Sequence, residues 1–280
     1  MHEEAIEHFN QAAVVNVEQS NRDGNTIVLG DQGRVIISGD LHGHRRNFER
    51  LVKLAKLDSS FDHHLILHEI IHGGPTDQDG YDLSHTLLLD VVKLKIEFPE
   101  QVHLLLGNHD LAQMYDIDIL KEGQSSLAVF NQALAVLYRE HHQGVLDAMY
   151  AYFKSQPLAV RLDQIIVTHS LPGRREMKTF DPSILQRPLT EKDFRDGGSV
   201  ESLVWGRRQP ATVLEQLQQE WNVVTFINGH QPQETGYSAE APQIILDSCH
   251  NHGHYLALNL SATNNWNELV AMIKPLAAVA

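Results

Sequence analysis

Apolar residues recur at two periods along this chain, and the switches between them outline its fold. Residues 2–15 predict a helix, followed by the turn signal Asn21-Arg22-Asp23-Gly24-Asn25. Thr26–Leu29 and Arg34–Ser38 predict strands, and the intervening Gly30-Asp31-Gln32-Gly33 predicts that they form a hairpin. Phe48, Leu51, Leu54 and Ala55 fall at helical spacing within Asn47–Leu57. His64–Glu69 predicts the next strand, Gly73–Gly80 a loop, Leu83–Phe98 an amphipathic helix, and Gln101–Leu106 a third apolar strand. Strands alternating with helices predict parallel pairing through crossover helices, an α/β fold.

Leu127–Lys154 predicts a long helical stretch, broken or kinked around Gly144, and reads as a helical insertion at about 127–155. Leu158–Arg161 and Gln164–Thr168 return to strand after the stop signal of Pro157. Pro172–Gly198, charged and punctuated by Pro and Gly, predicts a surface excursion. A helix at Ala211–Glu220 precedes closing strands at Val223–Ile227, Gln243–Leu246 and Tyr255–Leu260. No repeat or linker interrupts the pattern, so one domain over 1–280 is expected.

Composition narrows the function classes. No run of about 18 apolar residues exists to span a bilayer. Met1-His2-Glu3-Glu4 lacks the basic flank and apolar core of a secretory signal, so a cytoplasmic protein is expected. A single cysteine, Cys249, rules out an intramolecular disulfide and any thiolate metal cluster. The net charge of −14 disfavours nucleic acid and anionic membranes as partners. It does not disfavour an anionic substrate, because bound metal inverts the local field. Eighteen histidines are the compositional outlier, and several fall near Asp40, Glu69, Asn108, His169, His230 and His252.

Those histidines sit in short strings at predicted strand ends, where an α/β sheet gathers its ligands. Gly39-Asp40-Leu41-His42-Gly43 follows Val35-Ile36-Ile37, and Gly107-Asn108-His109-Asp110 follows Leu104-Leu105-Leu106. Three more strings complete the set: His68-Glu69-Ile70-Ile71-His72-Gly73-Gly74, Val167-Thr168-His169-Ser170 and Asn228-Gly229-His230-Gln231-Pro232. Asp, Glu, Asn and His are oxygen and nitrogen donors suited to Mn, Fe or Zn. Two such ions about 3.5–4 Å apart can bind phosphate oxygens and hold a hydroxide for in-line attack. Glycines beside the ligands permit tight turns and close backbone approach.

In order and spacing these five strings resemble the calcineurin-like metallophosphoesterases, in particular the serine/threonine phosphatase and diadenosine tetraphosphatase branch. The resemblance spans about residues 34–260 and implies a four-layer sandwich, two facing mixed sheets flanked by helices. It implies Asp40 and His42 on one metal, Asn108, His169 and His230 on the other, and Glu69 as the bridging carboxylate where relatives have Asp. It further implies His109 as general acid with Asp110 orienting its imidazole, and Asn108 and His109 near the substrate. The activity implied is phosphoester hydrolysis by a hydroxide bridging two metal ions.

The second string departs from the family pattern. Relatives carry Asp-Arg-Gly where this chain has His72-Gly73-Gly74, so a phosphate-clamping arginine is missing. Arg207, in Val204-Trp205-Gly206-Arg207-Arg208, is the expected replacement because its planar fork fits two oxygens, with Arg45 and Arg46 as fallbacks. His72 reads as a donor to Glu69, an added ligand or a loop residue. At least one of His63, His64 and His68 is expected to face solvent. The stretch Asp247–His254 resembles a segment lining the back of the site, and Cys249 reads as a structural thiol. A phosphorylated small molecule, a nucleotide or a phosphoprotein all fit as substrate. The altered second string also leaves open a catalytically weak or dead metal-binding module of the same fold.

Overall fold

Strand Arg34–Asp40 shows how the layers form. Val35 and Ile37 point into one buried cluster while Ile36 points into another, the period-two alternation of a strand covered on both faces. Strand His63–His68 repeats this, with Ile66 on one side and Leu65 and Leu67 on the other. The same split separates Val167 from Ile166 and Ile227 from Phe226 in two strands of a second sheet. Two sheets therefore face each other across a shared apolar layer, and helices cover their outer faces.

The chain is seen as a computed structural model describing residues 1–121, 123–262 and 265–279. One sheet has five strands, in the order Ile273–Pro275, His254–Asn259, Arg34–Asp40, His63–His68, Val102–Leu104. Its last three strands are parallel, as the strand–helix alternation predicts, with Arg45–Ala55 and Ser84–Glu97 as crossover helices. The other sheet has seven, in the order Arg22–Asp23, Thr26–Val28, Ala159–Leu162, Ile165–Thr168, Thr225–Asn228, Gln243–Leu246, Tyr237–Glu240. Within it, Ile165–Thr168, Thr225–Asn228 and Gln243–Leu246 run parallel. Helix His2–Glu18 packs on Ser84–Glu97 and His142–Ser155, burying Ala5, Phe9 and Ala12. Among the described residues no helix is long and apolar enough to cross a membrane.

Two expectations fail for identifiable reasons. Thr26–Val28 and Arg34–Asp40 do not pair as a hairpin; each joins a different sheet. Ile27, Leu29, Val35 and Ile37 all enter the layer between the sheets, so the turn at residues 30–33 carries the chain across that layer. A hairpin does form one step earlier, where Arg22–Asp23 folds back on Thr26–Val28. The helical stretch breaks not at Gly144 but at Arg139–His141, where Arg139 adopts φ +53°, and Gly144 lies inside the second helix.

The sheets touch backbone to backbone at one end. A Cβ on Gly39 would lie 2.1 Å from the Leu246 carbonyl oxygen of the opposite sheet. Gly39 N donates to Ser248 Oγ at 2.9 Å, Ser248 N donates to the Asp40 carbonyl at 3.1 Å, and Asp40 bridges to Asp247. Gly39→Ala is therefore expected to destabilise the protein by about 1–3 kcal/mol through overpacking. Gly30→Ala, where a Cβ meets nothing within 4 Å, should stay within about 0.5 kcal/mol of the parent. Urea unfolding at constant slope checks both; an unchanged midpoint for Gly39→Ala would contradict this account of the contact.

Candidate metal centre

The ligand-type residues emerge from the carboxyl ends of five strands that converge on this contact. Asp40 ends its strand, Glu69 follows His68, and Asn108 comes three residues after the Leu105–Leu106 continuation of its strand begins. His169 follows Thr168, and His230 lies two residues beyond Asn228. The first two loops are laced together. Leu41 N and His42 N both donate to the Glu69 carbonyl at 2.9 Å, and Gly43 N donates to the Ile70 carbonyl at 2.8 Å. His42, Glu69, His72 and His230 all have positive φ, between +37° and +65°. Such backbone costs energy for residues other than Gly, and it tends to persist where a site requires it.

Three overlapping groups of side chains lie close enough to share ions: Asp40 with His68 and His169, His42 with Glu69 and His109, and Glu69 with His169 and His230. His169 Nδ1 is 3.7 Å from Asp40 Oδ1. His169 Nε2 is 3.1 Å from Glu69 Oε2 and 2.9 Å from Asn108 Oδ1. His230 Nδ1 lies 2.7 Å from the same amide oxygen, and His42 Nε2 lies 4.0 Å from Asp40 Oδ2. All six residues expected as ligands are thus brought together.

The room for this crowding comes from glycine. A Cβ on Gly107 would fall 2.3 Å from Glu69 Oε1, and one on Gly229 would fall 2.2 Å from Asp40 Oδ1. These glycines let backbone approach the ligand carboxylates, rather than the substrate. Glu69 Oε1 accepts from His109 N at 3.0 Å, and Asp40 Oδ2 accepts from His230 N at 2.9 Å. Each carboxylate thereby has one oxygen tied to backbone. The other oxygens, Asp40 Oδ1 and Glu69 Oε2, are buried without a hydrogen bond among the described residues, as are His169 Nδ1 and both ring nitrogens of His68.

Unpartnered buried acceptors are expensive unless something positive sits among them. Burial pushes the Asp40 carboxyl up to about 7 and raises Glu69 as well, against the N–H groups of residues 108–110. Burial pushes His42 down to about 3, with Lys121 adding to the effect. Neutral imidazoles, an amide oxygen and two carboxylates form a donor set that fits divalent cations. The His42 tautomer agrees. His42 Nδ1 faces the Ile71 carbonyl at 3.0 Å, which leaves Nε2 as a lone-pair donor toward Asp40. His230 Nε2 faces both Arg207 Nε at 3.0 Å and the Trp205 carbonyl at 3.2 Å, so a partner exists for either tautomer.

His109 is buried beside His42 and Glu69, but Asp110 does not orient it. Asp110 instead caps its own helix, where Oδ2 accepts from Gly107 N at 3.0 Å. The ring meets His72, with the two Nδ1 atoms 3.0 Å apart. His72 Nε2 in turn lies 2.8 Å from Gln113 Oε1, while Gln113 Nε2 donates to Asn131 Oδ1 and Tyr150 Oη. That amide orientation makes His72 Nε2 the N–H and its Nδ1 the acceptor. His109 Nδ1–H then donates to His72, and His109 Nε2 remains for chemistry.

Other expectations resolve by placement. Arg207 is exposed and reaches His230, whereas Arg45 is tied to Asp90 and Thr86. None of His63, His64 and His68 is exposed: His63 is partly buried, and the other two are buried. The Asp247–His254 segment touches the site through Asp247 and Ser248. His250 turns to the Gln233 carbonyl, and His252 is exposed. Burial and Asp247 push the Cys249 thiol far up, away from nucleophilic chemistry. Two hollows near 550 and 580 Å³ lie elsewhere and are lined by residues such as Tyr81 and Val136, or Asp31 and Gln164.

Sequence reasoning missed three neighbours. His68 reads as an ordinary strand residue, and only its unpartnered nitrogens beside Asp40 give it away. Gln113 is a mid-helix polar residue like many others. Lys121 lies on a short hairpin, Leu120–Lys121 against Gln124–Ser125, and its Nζ donates to the His72 carbonyl at 2.6 Å. No motif surrounds it.

Solved structures share this architecture. A serine/threonine phosphatase from Saccharomyces cerevisiae matches with a TM-score of 0.69 at 15% identity, covering 99% of this chain and 93% of its own. A cold-active protein-tyrosine phosphatase of a psychrophilic Shewanella species matches with a TM-score of 0.59 at 18% identity, covering 88% of this chain and 80% of its own. At such identities these likenesses speak for the fold. The sequence profile of the calcineurin-like phosphoesterases matches residues 33–245, the stretch that holds all five strings. The chain belongs to the calcineurin-like phosphoesterase family, and it is a metal-dependent hydrolase of phosphate esters.

Proposed function

We propose that this hydrolase works with two metal ions, Mn, Fe or Zn by donor type, held by Asp40, His42, Glu69, Asn108, His169 and His230. The observation that carries the reading is the convergence of buried carboxylate oxygens, without hydrogen bonds among the described residues, with neutral nitrogen donors around Glu69. A shared carboxylate, with Asp40 and neutral nitrogen and amide donors around it, suits a closely spaced ion pair. Bound there, the ions would neutralise phosphate charge and acidify a water.

The chain's own residues supply the rest. Arg207, at the His230 end, would hold a non-bridging oxygen through its guanidinium. His109 Nε2, oriented through His72 and Gln113, would protonate the departing ester oxygen as the phosphorus–oxygen bond breaks. Burial, with the neighbouring imidazoles and the Lys121 ammonium adding to it, holds the His109 ring well below its ordinary value. An arriving phosphate anion opposes that effect and favours the protonated ring. The net change is addition of water across the ester bond. The substrate is a phosphorylated small molecule, a nucleotide or a phosphoprotein.

Elemental analysis should find two metals per chain, and Mn²⁺ should support hydrolysis of an aryl phosphate. His109→Asn should retain the metals and lose about 10²–10⁴-fold in kcat. Full activity in that variant, or one metal or none in the parent, would refute this reading of the site.

His72→Phe should lower kcat by about 10–100-fold with little change in KM, because it acts only through His109. An equal loss in His72→Phe/His109→Asn and in His109→Asn alone would confirm that they act as one unit. Additive losses would separate them.

Stability should also depend on pH in a distinctive way. Asp40 and Glu69 have native values raised above their ordinary 3.8 and 4.5. Above about pH 7 the buried histidines, held below their ordinary 6.5, are neutral in both states, while the native protein still holds carboxyl protons that the unfolded chain has released, so metal-free stability falls as pH rises toward 8. Metal binding to the ionised carboxylates opposes this, and Mn²⁺ should raise the Tm more at pH 8 than at pH 6. Calorimetry in chelator and in Mn²⁺ checks the sign; a metal-free Tm that rises over this range would contradict it.

A further inference from the structure

We propose that Lys121 is a second phosphate-binding cation of this site and selects for the terminal phosphate of a monoester. The inference rests on the phosphoesterase reading above. It starts from Gly73, which follows His72 and has no side chain to offer the substrate. A Cβ built on Gly73 lies 3.4 Å from Lys121 Nζ and 3.2 Å from His42 Cβ. The ammonium therefore occupies the space that a side chain at position 73 would enter, brought there by the 120–125 hairpin from a different part of the chain.

The partners of Lys121 leave its charge available. Nζ donates to the His72 carbonyl at 2.6 Å and lies 3.4 Å from His42 Nδ1. The Ile71 carbonyl already takes the Nδ1–H of His42, so that nitrogen offers the ammonium no lone pair. A partly buried ammonium has three donors, and among the described residues they meet one neutral acceptor, the His72 carbonyl. Burying a charge with so little compensation is unfavourable unless an anion completes it. Glu69, Asp40 and Asp82 contribute longer-range attraction, which keeps the ammonium at the cluster.

Position decides which anion fits. Lys121 stands at the His42 end of the ligand cluster and Arg207 at the His230 end, with Glu69 belonging to the groups at both ends. A phosphate spanning the cluster meets one cation at each end. A monoester dianion presents three non-bridging oxygens and a diester only two, so a second cation beside Arg207 favours the monoester. An ammonium is a compact point charge on a flexible stem, and it can follow the third oxygen without the fixed fork of a guanidinium.

The test compares Lys121→Met and Lys121→Arg with the parent, all loaded with Mn²⁺ and checked for equal metal content. Binding of inorganic phosphate is read by thermal shift, and kcat/KM by an aryl phosphate monoester and a bis-aryl phosphate diester. Lys121→Met should weaken phosphate binding by about tenfold or more, as expected for loss of a charge-assisted hydrogen bond. Its kcat/KM should fall comparably for the monoester and far less for the diester, and Lys121→Arg should restore most of both. Unchanged phosphate binding in Lys121→Met, equal losses on the two esters, or a loss explained by missing metal would overturn the role of Lys121 while leaving the phosphoesterase reading intact. A parent that neither binds phosphate nor hydrolyses either ester would overturn both.

Discussion

Keeping Asp40 and Glu69 out of water is the constraint around which this protein is built. Each carboxylate lies under the rim of a sheet, with one oxygen tied to backbone N–H and the other left without a hydrogen bond. Two ionised groups in such a place repel each other and lack hydration, so their charge is tolerable only beside cations. The fold accepts that cost at the end where its sheets touch backbone to backbone. It also accepts left-handed backbone at His42, Glu69, His72 and His230. Gly107 and Gly229 leave the space in which the two carboxylates fit. Substitutions at these glycines would be felt as displaced carboxylates before they were felt as a loosened core.

Much of this was legible in the chain because it is local. A ligand at the end of an apolar run is recognisable from the run alone, since a buried strand must end where polar atoms can be satisfied. Asp40, Glu69, Asn108, His169 and His230 were all found that way. What escaped depends on partners far away in sequence. The pairing of Thr26–Val28 with Ala159–Leu162, rather than with its neighbour, is decided by which apolar face meets the opposite sheet. His68 and Lys121 acquire meaning only from what folds beside them. The family resemblance implies that Asp110 orients His109, yet adjacent residues on a helix do not face each other. The space beside the ring fell to His72, thirty-seven positions earlier.

His72 and Gly73 together show how a site can change its parts and keep its balance. The related pattern places an acid and an arginine at these positions, a pair with no net charge. Here an imidazole and a glycine stand there, again with no net formal charge. The swap does remove a donor for phosphate. Gln113 fixes the His72 tautomer, so that a neutral ring can accept from His109.

A neutral acceptor and a carboxylate are not equivalent in this role, however. A carboxylate would stabilise a protonated His109 by direct charge attraction, while the His72 ring can only align it. His109 must then gain its proton affinity from the substrate's own charge. The acid would be poised only when a phosphate is bound, and most strongly when that phosphate is a dianion. Lys121 acts in the same direction. A cation beside the His42–His109 edge opposes protonation of the ring until phosphate arrives and cancels it. Substrate charge would thus complete the ammonium's shell and arm the acid in one event, coupling recognition to catalysis through electrostatics alone.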